Sequence, residues 1–140
     1  MWYNRSVITN FPSSAIALTY KGKLLLLSPD IDAQGVEQSL WRFIGGIIKD
    51  PESSEQTIQR KVKYTTKLKL KNIQRLSSAR RRAHFYHGEL TDDDVNSIER
   101  REGERLEFYT LNELEKLTLT ETTGEFLAEY KSTVEKLLTH

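Results

Sequence analysis

Residues 41–68 read WRFIGGIIKDPESSEQTIQRKVKYTTKL: a strand, a glycine pair, a turn and a helix, in that order. Leu40 to Ile44 is a short apolar run that stops at Gly45 and Gly46, a pair suited to a tight turn and to close backbone approach. Lys49 to Glu52 is a turn leading into a helix that begins at Ser53 or Ser54. Ser53 followed three residues later by Gln56 makes a capping box, and Glu55 suits the positive end of the helix dipole. Ile58 and Val62 lie four apart and so share a buried face. Thr65 and Thr66 weaken the helix, and Lys67 supplies no left-handed cap of the kind that glycine gives.

The spacing of Gly46, Glu52, Arg60, Val62 and Leu68 resembles the box of the Nudix family, written Gly-x5-Glu-x7-Arg-Glu-U-x-Glu-Glu-x-Gly-U with U a bulky aliphatic residue. Lys61, Tyr64, Thr65 and Lys67 stand where that pattern has Glu, Glu, Glu and Gly. Trp41 ahead of the paired glycines is also typical of the family. The stretch Glu104 to Leu114 resembles its late strand and short following helix, so the resemblance covers essentially the whole chain. It implies a Nudix-type α/β/α sandwich, and a loop–helix–loop that holds divalent metal, usually magnesium, against a substrate diphosphate. Magnesium demands hard oxygen ligands. The replaced positions offer an ammonium, a phenol and a hydroxyl instead. The resemblance also implies that Arg60 pairs with Glu52 and ties the helix to the preceding loop. Many relatives are dimers, which leaves a homodimer open.

Outward from this stretch, Ser14 to Tyr20 and Lys23 to Leu27 read as a hairpin around Lys21-Gly22. Residues 28–35 cluster Pro, Gly and Asp and read as a loop. Leu68 to Ile73 alternates apolar and basic residues, the pattern of a half-exposed strand. Arg80, Arg81 and Arg82 precede another strand, Ala83 to Leu90. Thr91 to Asp94 resembles an N-capped turn or short helix. Arg105 to Tyr109 alternates again, and Leu111 to Leu114 begins a helical turn. After Thr123-Gly124 comes a final helix in which Phe126, Leu127, Tyr130, Val134, Leu137 and Leu138 recur at helical spacing. This order predicts a mixed α/β (α+β) fold with a curled mixed sheet between helices, in one domain spanning residues 1–140.

An apolar content of 37% and a charged content of 29% suit a globular chain. No apolar run is long enough to span a bilayer, the N-terminus lacks the order of a secretory signal, and there are no cysteines. Disulfides, zinc–thiolate sites and thiol catalysis are excluded, and a cytoplasmic location with no membrane partner is expected. The net charge of +1 hides three blocks. Residues 1–55 sum to −1, residues 56–88 hold ten bases and no acid, and residues 89–140 sum to −8. A one-sign block is either a solvated face or a surface that attracts phosphate or a polyanion.

Two functional expectations follow. In the first, the box is non-catalytic or weakly active and binds a nucleotide or another phosphate-bearing ligand. Gly45, Gly46, Arg60, Lys61 and Lys63 then form the phosphate site, because charge-assisted contacts to phosphate need no metal and no cofactor. A protein partner on the same surface is an equal expectation, and RNA along the basic block a weaker one. In the second, the chain is a hydrolase of nucleoside diphosphate derivatives. Magnesium or manganese would then be held by substitute carboxylates, with Glu52, Glu55 and Glu104 as catalytic candidates and Glu52, Glu102 and Glu104 as metal candidates. The plainer reading of Glu102 and Glu104 is as solvated partners of Arg100, Arg101 and Arg105. His84 and His87, three apart on a strand, face opposite sides and make poor joint ligands.

Overall fold

The computed structural model describes residues 12–29, 40–77 and 83–139. Of the expected loop at 28–35, Ser28 and Pro29 instead continue the strand that begins at Lys23, and residues 30–35, the arginines at 80–82 and the N-terminal segment lie outside the described residues. Strands β1 (Ser13–Tyr20) and β2 (Lys23–Pro29) form the predicted hairpin. Lys21 at φ 47° and Gly22 at φ 78° make its two-residue turn, the left-handed pair that matches strand twist.

The short β3 (Leu40–Trp41) lies outside the main sheet, whereas β4 (Ile44–Ile47) pairs antiparallel with the first half of β1. Helix α1 (Ser54–Thr66) follows, then β5 (Gln74–Arg75) and β6 (Ala83–Glu89), which runs parallel to β1. After α2 (Asp92–Ser97) comes β7 (Glu104–Tyr109), antiparallel to β2. The order β5-β6-β1-β2-β7, with β4 also on β1, is a mixed sheet. The chain ends with α3 (Leu111–Leu114), β8 (Thr118–Leu119, parallel to β3), α4 (Glu121–Glu129) and α5 (Lys131–Leu138).

The sheet is covered on both faces, which explains four consecutive leucines in β2. Leu25 and Leu27 join Ile16, Leu18 and Tyr86 in a core closed by Ile58 and Val62 of α1. Leu24 and Leu26 turn the other way, into a core with Phe85 and with Phe126, Val134 and Leu138 of the terminal helices. The result is the expected α/β/α arrangement. No helix among the described residues is long and apolar enough to cross a membrane.

Four local expectations are corrected. Gly45 and Gly46 do not end a strand in a tight turn; they lie within β4, opposite Ala15 and Ser14. Leu68 to Ile73 forms no strand. Its alternation is real, with Leu68 and Leu70 buried and Lys69 and Lys71 exposed, but the pairing on this edge of β6 comes later, at Gln74 and Arg75. The final helix starts earlier than Thr123-Gly124, because the Thr120 side chain accepts the Thr123 N–H and caps it there. It also divides at Tyr130, whose ring packs on Phe85 and Phe126. Finally, Lys67 does cap α1 in the left-handed conformation, at φ 69°, its N–H donating to the Lys63 carbonyl. Thr66 supports this stop: its hydroxyl donates to the Val62 carbonyl and accepts the Leu68 N–H.

Candidate functional site

The turn ahead of α1 is fastened from both sides. The Glu52 N–H donates to the Lys49 carbonyl at 2.7 Å. Ser53 and Gln56 form the predicted capping box, which makes Ser53, two residues after Pro51, the N-cap of the helix. The Glu52 carboxylate then meets Arg60, two turns along, in a two-pronged pair with Nε–Oε2 at 2.7 Å and Nη2–Oε1 at 3.0 Å. Thr57 Oγ1 donates to the same Oε1 at 2.7 Å. Arg60 first and Thr57 second hold the Glu52 carboxyl down, at about 2. A carboxylate so engaged is a tether, with few lone pairs left for another cation.

Lys61, one residue on, lies over β4. A Cβ built on Gly46 would sit 2.5 Å from Lys61 Cε and 3.1 Å from its Nζ, so the side chain occupies space that any residue other than glycine would fill. Burial pushes the Lys61 ammonium toward its neutral form, and the charges of Arg60, Lys49 and Arg42 push the same way, against a smaller pull from Glu52. Among the described residues no ion pair reaches Lys61. Gly45 and Gly46 also line a cleft of ≈ 410 Å³ together with Arg42, Phe43, Ile47 and Thr122. Gly46 is therefore shared: Lys61 covers it, and the cleft opens beside it. Ile47 is 54% exposed, an apolar surface beside that opening.

Tyr64 and Thr65 complete the altered positions. Thr65 is buried, so its hydroxyl is withdrawn from solvent. Tyr64 is exposed, and the Arg101 guanidinium stacks 3.8 Å from the centre of its ring. The backbone joins here too, the Glu99 N–H donating to the Thr66 carbonyl at 3.0 Å. Arg101 Nε lies 3.9 Å from Glu104 Oε1, a buried oxygen that receives no hydrogen bond. The late carboxylate expected as a substitute ligand is thus faced by an arginine.

The other candidates are dispersed. Glu102 is exposed on the turn before β7. Glu55 is exposed at the start of α1, beside a different hollow of ≈ 650 Å³ that Arg75 and Tyr86 also line. There Arg75 is fully engaged, with His84, Ser54 and Tyr86. His87 instead meets Thr19, so the two histidines do face apart. Lys63 is exposed and points away from the core. Among the described residues no three of His, Asp and Glu gather where they could hold a metal. A divalent cation does not fit the donor set of an ammonium, a stacked phenol and a buried threonine. Sequence reasoning missed Arg42 and Lys49 beside Lys61, and it anticipated Arg101 as a partner of Glu104 but not of Tyr64. The first two were legible as bases flanking the glycine pair, whereas Arg101 reaches Tyr64 only through the tertiary fold.

The NUDIX domain family model matches residues 10–130. Solved structures with the same fold include a mutT/nudix family protein from Listeria innocua, 16% identical with a TM-score of 0.67, covering 91% of this chain and 95% of that one. A MutT protein from Methanosarcina mazei Go1 is 16% identical with a TM-score of 0.64, over 88% of this chain and 94% of its own. The NUDIX domain of Shewanella oneidensis NrtR, complexed with ADP ribose, is 17% identical with a TM-score of 0.60, over 94% of each chain. No curated protein matches the chain.

Proposed function

The chain belongs to the NUDIX domain family, and from that premise we propose that it binds a nucleotide or similar phosphate-bearing ligand without metal-dependent turnover. One observation carries this reading: Lys61 lies over Gly46, at a box position where the family pattern has a glutamate, among Arg60, Lys49 and Arg42. A metal ion normally offsets the negative charge of a bound diphosphate. Here the ammonium itself offsets it, through charge-assisted hydrogen bonds. The half-buried, like-charged setting of Lys61 favours an anion, because phosphate restores the charge compensation that the fold leaves missing. The organic part of the ligand rests in the adjoining cleft against Ile47 and Phe43. That a NUDIX domain of the same fold is complexed with ADP ribose supports a nucleotide-type ligand. Residues 1–140 act as one cytoplasmic Nudix-like domain on this reading.

The test is calorimetric titration with ADP-ribose, a nucleoside triphosphate and a dinucleoside polyphosphate, in chelator and again with magnesium or manganese. Binding that persists in chelator and weakens at least tenfold in Lys61→Glu, about 1.4 kcal/mol or more, is the expected result. Turnover in the presence of metal that disappears in Glu52→Gln or Glu104→Gln would overturn the proposal in favour of a hydrolase with substitute carboxylates.

A further inference from the structure

A second charged surface begins where α1 ends. Lys63, Lys67, Lys69 and Lys71 are all exposed, and among the described residues none forms an ion pair with an acid. Their direction is fixed by what alternates with them. Leu68 and Leu70 enter the core with Ile58 and Val62, and Gln59 Nε2 donates to the Leu70 carbonyl at 3.1 Å. The lysines at 67, 69 and 71 are therefore held outward on an anchored backbone. Lys69 and Lys71 fall on alternate positions between the buried leucines and so share one outward side, and Lys67, in the left-handed cap, precedes them. Lys63 lies one helical turn before Lys67 and prolongs the row.

An aromatic platform stands at the head of the row. Tyr64 is 52% exposed, three residues before Lys67, and the Arg101 guanidinium stacks on its ring. A tyrosine backed by a guanidinium is a surface on which an unpaired base stacks. Arg75 does not contribute, since His84, Ser54 and Tyr86 occupy its guanidinium.

We propose that Tyr64 and the row Lys63, Lys67, Lys69 and Lys71 form a docking surface for single-stranded nucleic acid. The row is too narrow for a broad contact with an anionic membrane, and an acidic protein would make no use of the stacked ring. The phosphates lie along the lysines, and a base stacks at Tyr64. This surface is separate from the Lys61 site and stands or falls independently of it.

Fluorescence anisotropy with labelled 12-nucleotide oligouridylate and oligothymidylate at low salt tests the proposal on the full chain. Both strands bind, whether or not the 2′-hydroxyl adds affinity. Log Kd varies with log salt with a slope of magnitude about 3, from four lysine contacts at about 0.7 each. Lys69→Glu/Lys71→Glu weakens binding at least tenfold, and Tyr64→Leu at least fivefold. Lys131→Glu/Lys136→Glu, the same change of charge on exposed residues of α5, alters it less than twofold. Circular dichroism melts confirm that each variant is folded. Failure of either strand to bind overturns the inference. So do equal losses in the two double variants, equally tight binding of polyglutamate, or tighter binding to phosphatidylserine vesicles.

Discussion

Lys61 packs against Gly46 so closely that a methyl group on the glycine would overlap the lysine Cε. Gly45, its neighbour, is pressed instead against backbone: a Cβ there would collide with the Ser14 carbonyl oxygen and lie 2.8 Å from Ala15 Cα. A flexible side chain can move aside, whereas a paired strand cannot. Gly46→Ala is therefore expected to destabilise by less than about 1 kcal/mol while displacing the ammonium, and Gly45→Ala by about 2 kcal/mol or more. Urea denaturation of the two variants decides it. Equal losses would mean that β4 does not sit against β1 as described.

Lys67 holds a left-handed backbone at φ 69° with a side chain that disfavours it. Lys67→Gly should raise stability by about 1 kcal/mol, as the relief of that conformation outweighs the added freedom of the unfolded chain. A higher urea midpoint at unchanged slope is the expected reading. A lower midpoint would show that the lysine side chain contributes more than its backbone loses.

The Lys67 cap also marks how far the sequence could be read. The helix start was legible because Ser53 and Gln56 make a local motif, and local motifs survive translation into structure. The helix stop was not, because a hydrogen bond to Lys63 and the Thr66 hydroxyl hold Lys67 in a conformation that its own preference opposes. The alternation of Leu68 to Leu70 was read correctly as burial and incorrectly as pairing, since burial alternates along any extended chain against a core but a strand needs a neighbour. In the site, the Glu52–Arg60 pair joins the turn before α1 to the helix, and it was legible through the resemblance of the box rather than through any helical spacing. The Tyr64–Arg101 stack joins residues 37 apart in sequence, and nothing local announces it.

Glu52 gives the fold a defined acid sensitivity. Its carboxyl is held at about 2, below the ordinary 4.5, by Arg60 first and Thr57 second. A depressed folded-state value means that the contribution to stability is complete above the unfolded value. It is lost as pH falls from about 4.5 toward about 2. Glu52→Gln should melt below the parent protein at pH 6, and the difference should shrink over that acidic interval. A melting-temperature gap that stays constant with pH would show that the carboxylate charge is not what matters.

Arg101 serves two groups, the Tyr64 ring and the Glu104 carboxylate. Removing the ring forfeits only a stacking contact of about 0.5–1 kcal/mol at an exposed position. Removing the arginine forfeits that contact and also takes away the guanidinium that faces a buried Glu104 oxygen. Arg101→Ala should therefore destabilise more than Tyr64→Leu, and Arg101→Ala/Glu104→Leu should recover part of the loss. A double variant no better than Arg101→Ala alone would separate Glu104 from the arginine.

Lys61 stands in a setting that opposes its own charge, through burial first and then through Arg60, Lys49 and Arg42. Its folded-state pKa therefore lies below the ordinary 10.5, and between those two values the unfolded chain keeps a proton that the folded chain releases. Stability of the parent protein consequently rises with pH across that interval, because the unfolded state binds more protons there. Lys61→Met removes the charge altogether. It should melt above the parent at pH 7, and the gap should narrow as pH climbs toward 10.5. Adding ADP-ribose in chelator should narrow the gap as well, because the ligand stabilises only the chain that binds it. If Lys61→Met melts below the parent at pH 7, the ammonium has a stabilising partner within the fold. It would then have no charge left uncompensated for a phosphate to complete.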